Sequence, residues 1–197
     1  MRVDLNVIES FIAQDSHVLD LGCGDGTLLA HLSERKNIHG VGLEIDPDKI
    51  NQCIEKGIAV VERDLDIGLT KIDDDSYDMV IMTLTLQAMK HPDQVLDQML
   101  RIGKECIVTF PNFGHWTARW HLAFHGRMPV SDLLPYEWYD TPNIHFCTVK
   151  DFEVLCKQKG ITILHRETVA GGLTSQGLCR LHPNLFSETA IYHLTKG

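Results

Sequence analysis

Apolar residues form two kinds of pattern along the first 110 residues: short continuous runs, and stretches in which they recur at helical spacing. The runs predict five strands, at residues 17–21, 38–43, 58–61, 77–85 and 105–110. The spaced residues predict helices at 3–13, 27–36, 47–56 and 92–102. Strands that alternate with helices predict an α/β fold of the doubly wound, Rossmann-like type, in which a mostly parallel sheet has helices on both faces.

The pattern changes after the fifth strand. Residues 111–146 contain all three Trp and four of the seven Pro, and we interpret them as a cap inserted after this strand, helical around 115–125 and loop-like afterwards. Regular structure is expected to return at Thr148, a predicted helix N-cap. The remaining predicted elements are a helix at 149–160, an extended segment at 161–169, a glycine turn at Gly171 and Gly172, and a last, antiparallel strand at 189–195.

Composition and charge limit the classes of function. The 197 residues suit a single domain, 1–197, and a net charge of −9 offers no basic face for nucleic acid. No apolar run is long enough to span a membrane, and the N-terminus lacks the features of a signal peptide. The six cysteines include no C-x-x-C pair and are expected to be reduced thiols. We therefore expect a cytoplasmic protein without a nucleic-acid or membrane partner.

The most informative local motif lies where the first strand ends. Asp20, Gly22, Gly24 and Gly26 form the pattern D-x-G-x-G-x-G between a strand and a helix. Free N–H groups at such a helix start can face a ligand, and glycines let the ligand approach the backbone. The dinucleotide pattern G-x-G-x-x-G is incomplete because Thr27 takes its last position, and no phosphate-binding Gly-Lys-Ser/Thr is present.

Two further acids follow the next two strands. Glu44 lies 20 residues after Gly24, where a carboxylate can bind both ribose hydroxyls, and Asp64 follows the third strand. Together with Asp20, these carboxylates suit a cationic nucleoside without phosphates and would repel a pyrophosphate. The alternative is a turn that is kept only for packing.

The segments that contain these acids, together with YDMVI at 77–81, resemble the class I S-adenosylmethionine (SAM)-dependent methyltransferases. The resemblance implies that SAM, or its demethylated product S-adenosylhomocysteine, binds here. It assigns the methionine end to Asp20, Gly22, Gly24 and Gly26, the ribose to Glu44, and the adenine to Asp64 and Leu65. Cys23, Ile45 and Thr83 complete the implied cofactor site.

Longer sequence segments narrow the choice of family within these methyltransferases. The fourth strand continues as TLTLQAM (83–89), which lacks the Asn-Pro-Pro-aromatic motif usual in methyltransferases that act on exocyclic base amines. PNFGHW at 111–116 and PYEWYDTPNIH at 135–145 resemble the MetW family of methionine-biosynthesis proteins. That family is associated with the MetX-type homoserine O-acyltransferase. The resemblance implies an accessory role with SAM as signal or substrate; a small-molecule methyltransferase is the alternative.

The cap allows two interpretations. It forms either a lid or substrate pocket near the strand ends, or a cover whose aromatic residues only pack on the sheet. Its aromatic and polar candidates are Asn112, His115, Trp116, Tyr136, Glu137, Trp138, Tyr139, Asp140, Asn143 and His145. His115 and His145 are weak candidates for a catalytic proton acceptor. His121 and His125 are interpreted as surface or packing residues, and no metal site is predicted.

Overall fold

A computed structural model describes residues 3–130, 136–142, 144–170 and 176–197. The strands are β1 (His17–Leu21), β2 (His39–Glu44), β3 (Ala59–Glu62), β4 (Tyr77–Thr83), β5 (Gly103–Pro111), β6 (Thr162–Ala170) and β7 (Ser187–Thr195). The helices are α1 (Val3–Phe11), α2 (Thr27–Lys36), α3 (Pro47–Glu55), α4 (Pro92–Ile102), α5 (Trp116–His125), α6 (Val149–Lys159), α7 (Gln176–Leu181) and α8 (Pro183–Phe186). Short 3-10 turns lie at Leu65–Ile67 and Leu86–Ala88.

The strands form one sheet in the order β3-β2-β1-β4-β5-β7-β6. Strands β1 to β5 run parallel, and β7 is antiparallel to both of its neighbours, β5 and β6. The predicted doubly wound α/β fold with an antiparallel last strand is therefore confirmed. The chain order reverses between β1 and β4, so the carboxyl end of β1 lies at the crevice where such sheets bind ligands.

The sheet is buried on both faces, as its apolar strands require. On one face, β4 and β5 contribute Val80, Met82 and Val108 to a core that also contains the apolar sides of α4 and α6. On the other face, Ile81 and Ile107 pack in a second core with residues of α1 and α2. Odd and even positions of each central strand thus belong to different cores.

Most predicted boundaries lie within two residues of the observed ones, and the differences have local causes. β4 ends at Thr83 rather than at residue 85 because Leu84 adopts a φ of +53°; its N–H makes the last ladder bond of the β4–β5 pair, to the backbone oxygen of Thr109 at 3.0 Å. Helices α7 and α8 were not predicted. The predicted turn at Gly171 and Gly172 lies outside the described residues. Among the described helices, none is long and apolar enough to cross a membrane.

Candidate functional site

The glycine turn leaves β1 and is fixed to the adjacent strand. The N–H groups of Gly22 and Cys23 both donate to the backbone oxygen of Leu43 in β2, at 2.8 and 3.1 Å. Gly22, Gly24 and Gly26 all have positive φ values, +74°, +58° and +74°. Ordinary side chains rarely adopt this conformation, so the three glycines allow the chain to pass from strand to helix within five residues.

The three glycines differ in what surrounds them. A Cβ atom on Gly22 would lie 2.8 Å from the side chain of Thr85, and one on Gly26 would lie 2.9 Å from Cys53 Sγ. A Cβ atom on Gly24 would meet nothing within 4 Å. Packing therefore explains why Gly22 and Gly26 have no room for a side chain, whereas the space beside Gly24 is open to a ligand.

Asp20 is a buried carboxylate that lacks compensation from the protein. Its exposed fraction is 1%, and neither carboxylate oxygen has a hydrogen-bond partner among the described residues. Burial and the nearby charge of Glu44 raise the pKa of Asp20 to about 7. A buried carboxylate is costly unless it is paired. The geometry therefore suits a ligand that brings a positive charge or hydrogen-bond donors to this position.

Glu44 connects the turn to the loop that follows β2. One carboxylate oxygen accepts from the Gly24 N–H at 2.8 Å, and the other accepts from the N–H groups of Ile45 and Asp46, at 2.7 and 3.0 Å. A carboxylate has about four lone-pair positions, so three are already in use. Glu44 thus holds the ligand-facing segments together, a role that the sequence analysis did not identify.

A cavity of about 580 Å³ opens beside the turn. Its lining residues are Leu5, Gly22, Cys23, Gly24, Asp25, Thr27, Leu28, Lys49, Thr83 and Leu84. Four predicted site residues are therefore brought together here: Gly22, Cys23, Gly24 and Thr83. Leu5 and Lys49 were missed, because periodicity places them on helices without saying that those helices reach the cavity.

The other predicted cofactor residues do not line this cavity. Ile45 is 56% exposed just beyond Glu44, which leaves an apolar side chain available to a flat ring. Asp64 caps the following 3-10 turn, accepting from the Asp66 N–H at 2.9 Å, and Leu65 is buried in the core. A larger cavity, of about 730 Å³ beside His17 and Tyr77, lies at the opposite edge of the sheet and contains no predicted site residue.

Neither candidate proton acceptor lines the cavity beside the turn. His115 is buried at the start of α5, where its Nδ1 contacts Thr117 Oγ1 at 2.6 Å, and its Nε2 has no partner among the described residues. Burial lowers the pKa of His115, so the neutral ring is favoured. The His145 side chain is exposed, and its backbone N–H donates to the Gln87 carbonyl at 3.0 Å. The catalytic role of both histidines stays a prediction.

Asn112 anchors the start of the cap. Its buried side chain donates to the carbonyls of Ser187 and Asn184, at 2.8 and 3.3 Å. Its Oδ1 accepts from the N–H groups of Gly114 and Val149, at 3.0 and 3.3 Å. Asn112 therefore joins β5 to α6, α8 and β7. Of the other cap candidates, Asn143 lies outside the described residues.

No group of three or more His, Cys, Asp or Glu suited to a metal ion occurs in the described ranges. His121 and His125 stack on α5 with ring centroids 4.6 Å apart. All six cysteines fall within these ranges and are unpaired. Cys23 and Cys53 are buried, with sulfur atoms 3.9 Å apart behind the turn.

Solved structures show which fold this geometry belongs to. An S-adenosylmethionine-dependent methyltransferase from Mesorhizobium loti superimposes with a TM-score of 0.70 at 15% identity, covering 96% of this chain and 95% of the other. The [4+2]-cyclase SpnF superimposes with a TM-score of 0.67 at 15% identity, covering 98% of this chain and 80% of the other. The chain therefore has the methyltransferase fold, and proteins with this fold are named for more than one reaction.

Sequence comparison identifies the family. The family model described as methionine biosynthesis protein MetW matches residues 2–194. The bifunctional methionine biosynthesis protein MetXA/MetW of Rhodopirellula baltica is 36% identical over 172 residues, which are 83% of this chain and 28% of that protein. The chain thus spans less than a third of this relative's length. On this evidence, the chain belongs to the MetW family of methionine-biosynthesis proteins.

Proposed function

We propose that this chain is a single SAM-binding domain of the cytoplasm that supports a MetX-type homoserine O-acyltransferase in methionine biosynthesis. The observation that carries the cofactor part is the unpaired, buried carboxylate of Asp20 beside the open position at Gly24. The observation that carries the partner part is the relative that joins the names MetXA and MetW in one polypeptide.

The residues around the turn fit the chemical groups of SAM. Asp20 would hold the cationic amino-acid end, and the open backbone at Gly24 would lie against it. Glu44 would take the ribose hydroxyls with its remaining acceptor capacity, and Ile45 and Asp64 would meet the adenine ring. When bound, SAM supplies an electrophilic methyl group; S-adenosylhomocysteine fills the same positions without it.

An acyltransferase assay tests the partner role. The homoserine O-acyltransferase of the same organism is assayed alone and with this chain, and co-purification of the two is measured in parallel. We expect a complex and a higher rate of acyl transfer in its presence. The absence of both would contradict the proposal. The assay is repeated with a Gly24→Val variant, whose side chain would fill the space that is open to SAM beside the turn. This variant separates a role that needs SAM from one that does not.

A methyltransferase that acts on a small molecule is the second candidate. It is favoured by the cavity of about 580 Å³, in which Thr83 and Leu84 lie beside the glycine turn. Incubation with methyl-labelled SAM and a metabolite extract would then give a labelled product. SAM binding without transfer to any acceptor would favour the accessory role.

A further inference from the structure

The cap helix α5 exposes aromatic side chains along one face. Trp116, Trp120 and Phe124 follow one another at four-residue spacing, and their exposed fractions are 42%, 57% and 67%. The rings of Trp120 and Phe124 stack with centroids 4.0 Å apart. Within α5, which is fully described, only Ala118 is buried. The helix therefore contributes little to the core, and its apolar face is available to a partner.

Further exposed aromatic residues lie beyond the end of α5. Residues Gly126 to Met128 line a cavity of about 490 Å³ together with Glu137, Trp138 and Tyr139. Trp138 and Tyr139 are also exposed, and their rings meet edge to face at 5.7 Å. All three tryptophans of the chain are thus exposed, and we call these exposed aromatic residues of the cap the cap surface: Trp116, Trp120, Phe124, Trp138 and Tyr139.

The helix that carries this surface is held firmly at its start. Arg119 donates to the carbonyls of Gly114 and Asn184, at 2.5 and 3.3 Å. His115 caps the first turn, and Asn112 fixes the segment that leads into it. A preorganised aromatic face loses less entropy on association than a disordered one. Tryptophan and tyrosine are also the residues that most often carry binding energy at protein interfaces.

The charge along α5 differs from that of the whole chain, whereas the Trp138 end of the cap surface includes the acid Glu137. Residues 106–131 contain no Asp or Glu, whereas the chain as a whole has a net charge of −9. Arg119 and Arg127 lie on or just after α5, and the acceptors of Arg119 described above are neutral carbonyls. A second copy packed through α5 itself would bring like charges together. A face that presents apolar groups bordered by carboxylates is complementary.

We infer that the cap surface is the docking site for a homoserine O-acyltransferase of the MetX type, whose contact face is apolar with an acidic border. The inference rests on the proposed function, because the fused Rhodopirellula baltica relative is what points to this partner. We select this surface for two reasons. The charge along α5 complements an acidic border, and exposed aromatic residues are concentrated on one rigid helix. An anionic membrane is disfavoured as the occupant because the net charge of the chain is −9.

The test is a binding titration of the acyltransferase with the intact chain and with the double variant Trp120→Ser, Phe124→Ser. The matched control is Ile54→Ser, Val154→Ser, which removes two exposed apolar side chains, 62% and 54% exposed, from α3 and α6. We expect the cap variant to bind at least tenfold more weakly and the control to bind like the parent. Melting temperature and SAM affinity should stay unchanged in both. The single variant Arg127→Glu should also weaken binding of the acyltransferase, most strongly at low salt.

The outcomes separate this inference from the proposed function. Equal binding of the acyltransferase by the parent and the cap variant would overturn the docking surface and leave the accessory role standing. No binding by the parent would overturn the docking surface, and no binding together with no increase in acyl transfer would overturn the proposed function as well. A parent chain that dimerises through the cap surface in sedimentation, or that binds phosphatidylglycerol vesicles through it, would overturn the acyltransferase as its occupant.

Discussion

The glycine turn and helix α5 lie at the same edge of the sheet, after the carboxyl ends of β1 and β5, but the protein holds them differently. One side of the turn faces the ligand position, and the other side packs against the protein. Its N–H groups bond to β2, and packing around Gly22 and Gly26 fixes two of its glycines. Helix α5 is anchored at its start, while its aromatic side chains face solvent.

The difference indicates what each region is built to meet. The turn borders an open cavity of about 580 Å³ and carries a buried carboxylate, which suits a small cationic ligand. The α5 face is wide, aromatic and free of carboxylates, which suits a large partner. Variants of the turn should therefore weaken SAM binding and spare acyltransferase binding. Variants of α5 should do the reverse.

The largest effect is expected from Gly24→Val. The side chain would fill the open space beside the turn at a φ of +58°, so SAM binding should fall by more than a hundredfold. The backbone strain costs on the order of 1–3 kcal/mol, which a domain of ordinary stability tolerates. Gly57→Val is the matched control, since Gly57 has a φ of +72° and an equally open Cβ position. Calorimetry and thermal melting should show similar melting temperatures for the two variants but loss of SAM only in Gly24→Val.

Asn112→Ala should affect the cap more than the turn. It leaves the N–H groups of Gly114 and Val149 and the carbonyl of Ser187 without this partner, whereas the Asn184 carbonyl keeps Arg119. Each unsatisfied buried group costs about 1–3 kcal/mol, so unfolding free energy should fall by roughly 3 kcal/mol or more. Urea titration measures this loss. Acyltransferase binding should weaken as well, whereas SAM affinity at a temperature where the variant is folded should match the parent. A stable variant with normal acyltransferase binding would show that Asn112 does not position the cap.

Glu44→Ala should reduce SAM affinity by about tenfold to a hundredfold, since hydrogen bonds to a charged group contribute roughly 1.5–3 kcal/mol. The structure adds a second consequence, because the N–H groups of Gly24, Ile45 and Asp46 also lose their acceptor. Glu44→Gln retains one carbonyl acceptor and should therefore lose less SAM affinity than Glu44→Ala. Calorimetry on both variants ranks them; equal affinity in the parent and Glu44→Ala would remove Glu44 from the site.

The smallest effect concerns pH and arises from Asp20. Its pKa is raised to about 7 from an ordinary value of 3.8, so the folded, ligand-free protein binds a proton there that the unfolded chain releases. The contribution of Asp20 to stability should therefore increase as the pH falls from 8 to 5. SAM affinity should change in the opposite direction, by up to about tenfold per pH unit below 7, because the cation needs the ionised carboxylate. Melting and calorimetry at several pH values, compared between the parent and Asp20→Asn, isolate both trends. Identical pH profiles would show that Asp20 does not titrate in this range.

The sequence predicted the position of the turn because its determinants are local. Asp20 and the three glycines lie within seven residues, directly after a strand, and the strand order follows from alternating elements. The contacts of Glu44 and Asn112 could not be predicted in this way. Spacing places Glu44 near the turn but does not show which N–H groups it binds, and Asn112 bonds to Asn184 and Ser187 more than 70 residues away. The positive φ of Leu84 was also unexpected, because residues other than glycine rarely adopt it.

The central claim is that the glycine turn of β1 binds SAM. Calorimetric titration of the intact chain with SAM and with S-adenosylhomocysteine at pH 8 tests it most directly. We expect saturable binding of one molecule of either ligand per chain, in competition with each other, and no binding of SAM to Gly24→Val under the same conditions. The absence of binding to the intact chain, or equal affinity in the Gly24→Val variant, would contradict it.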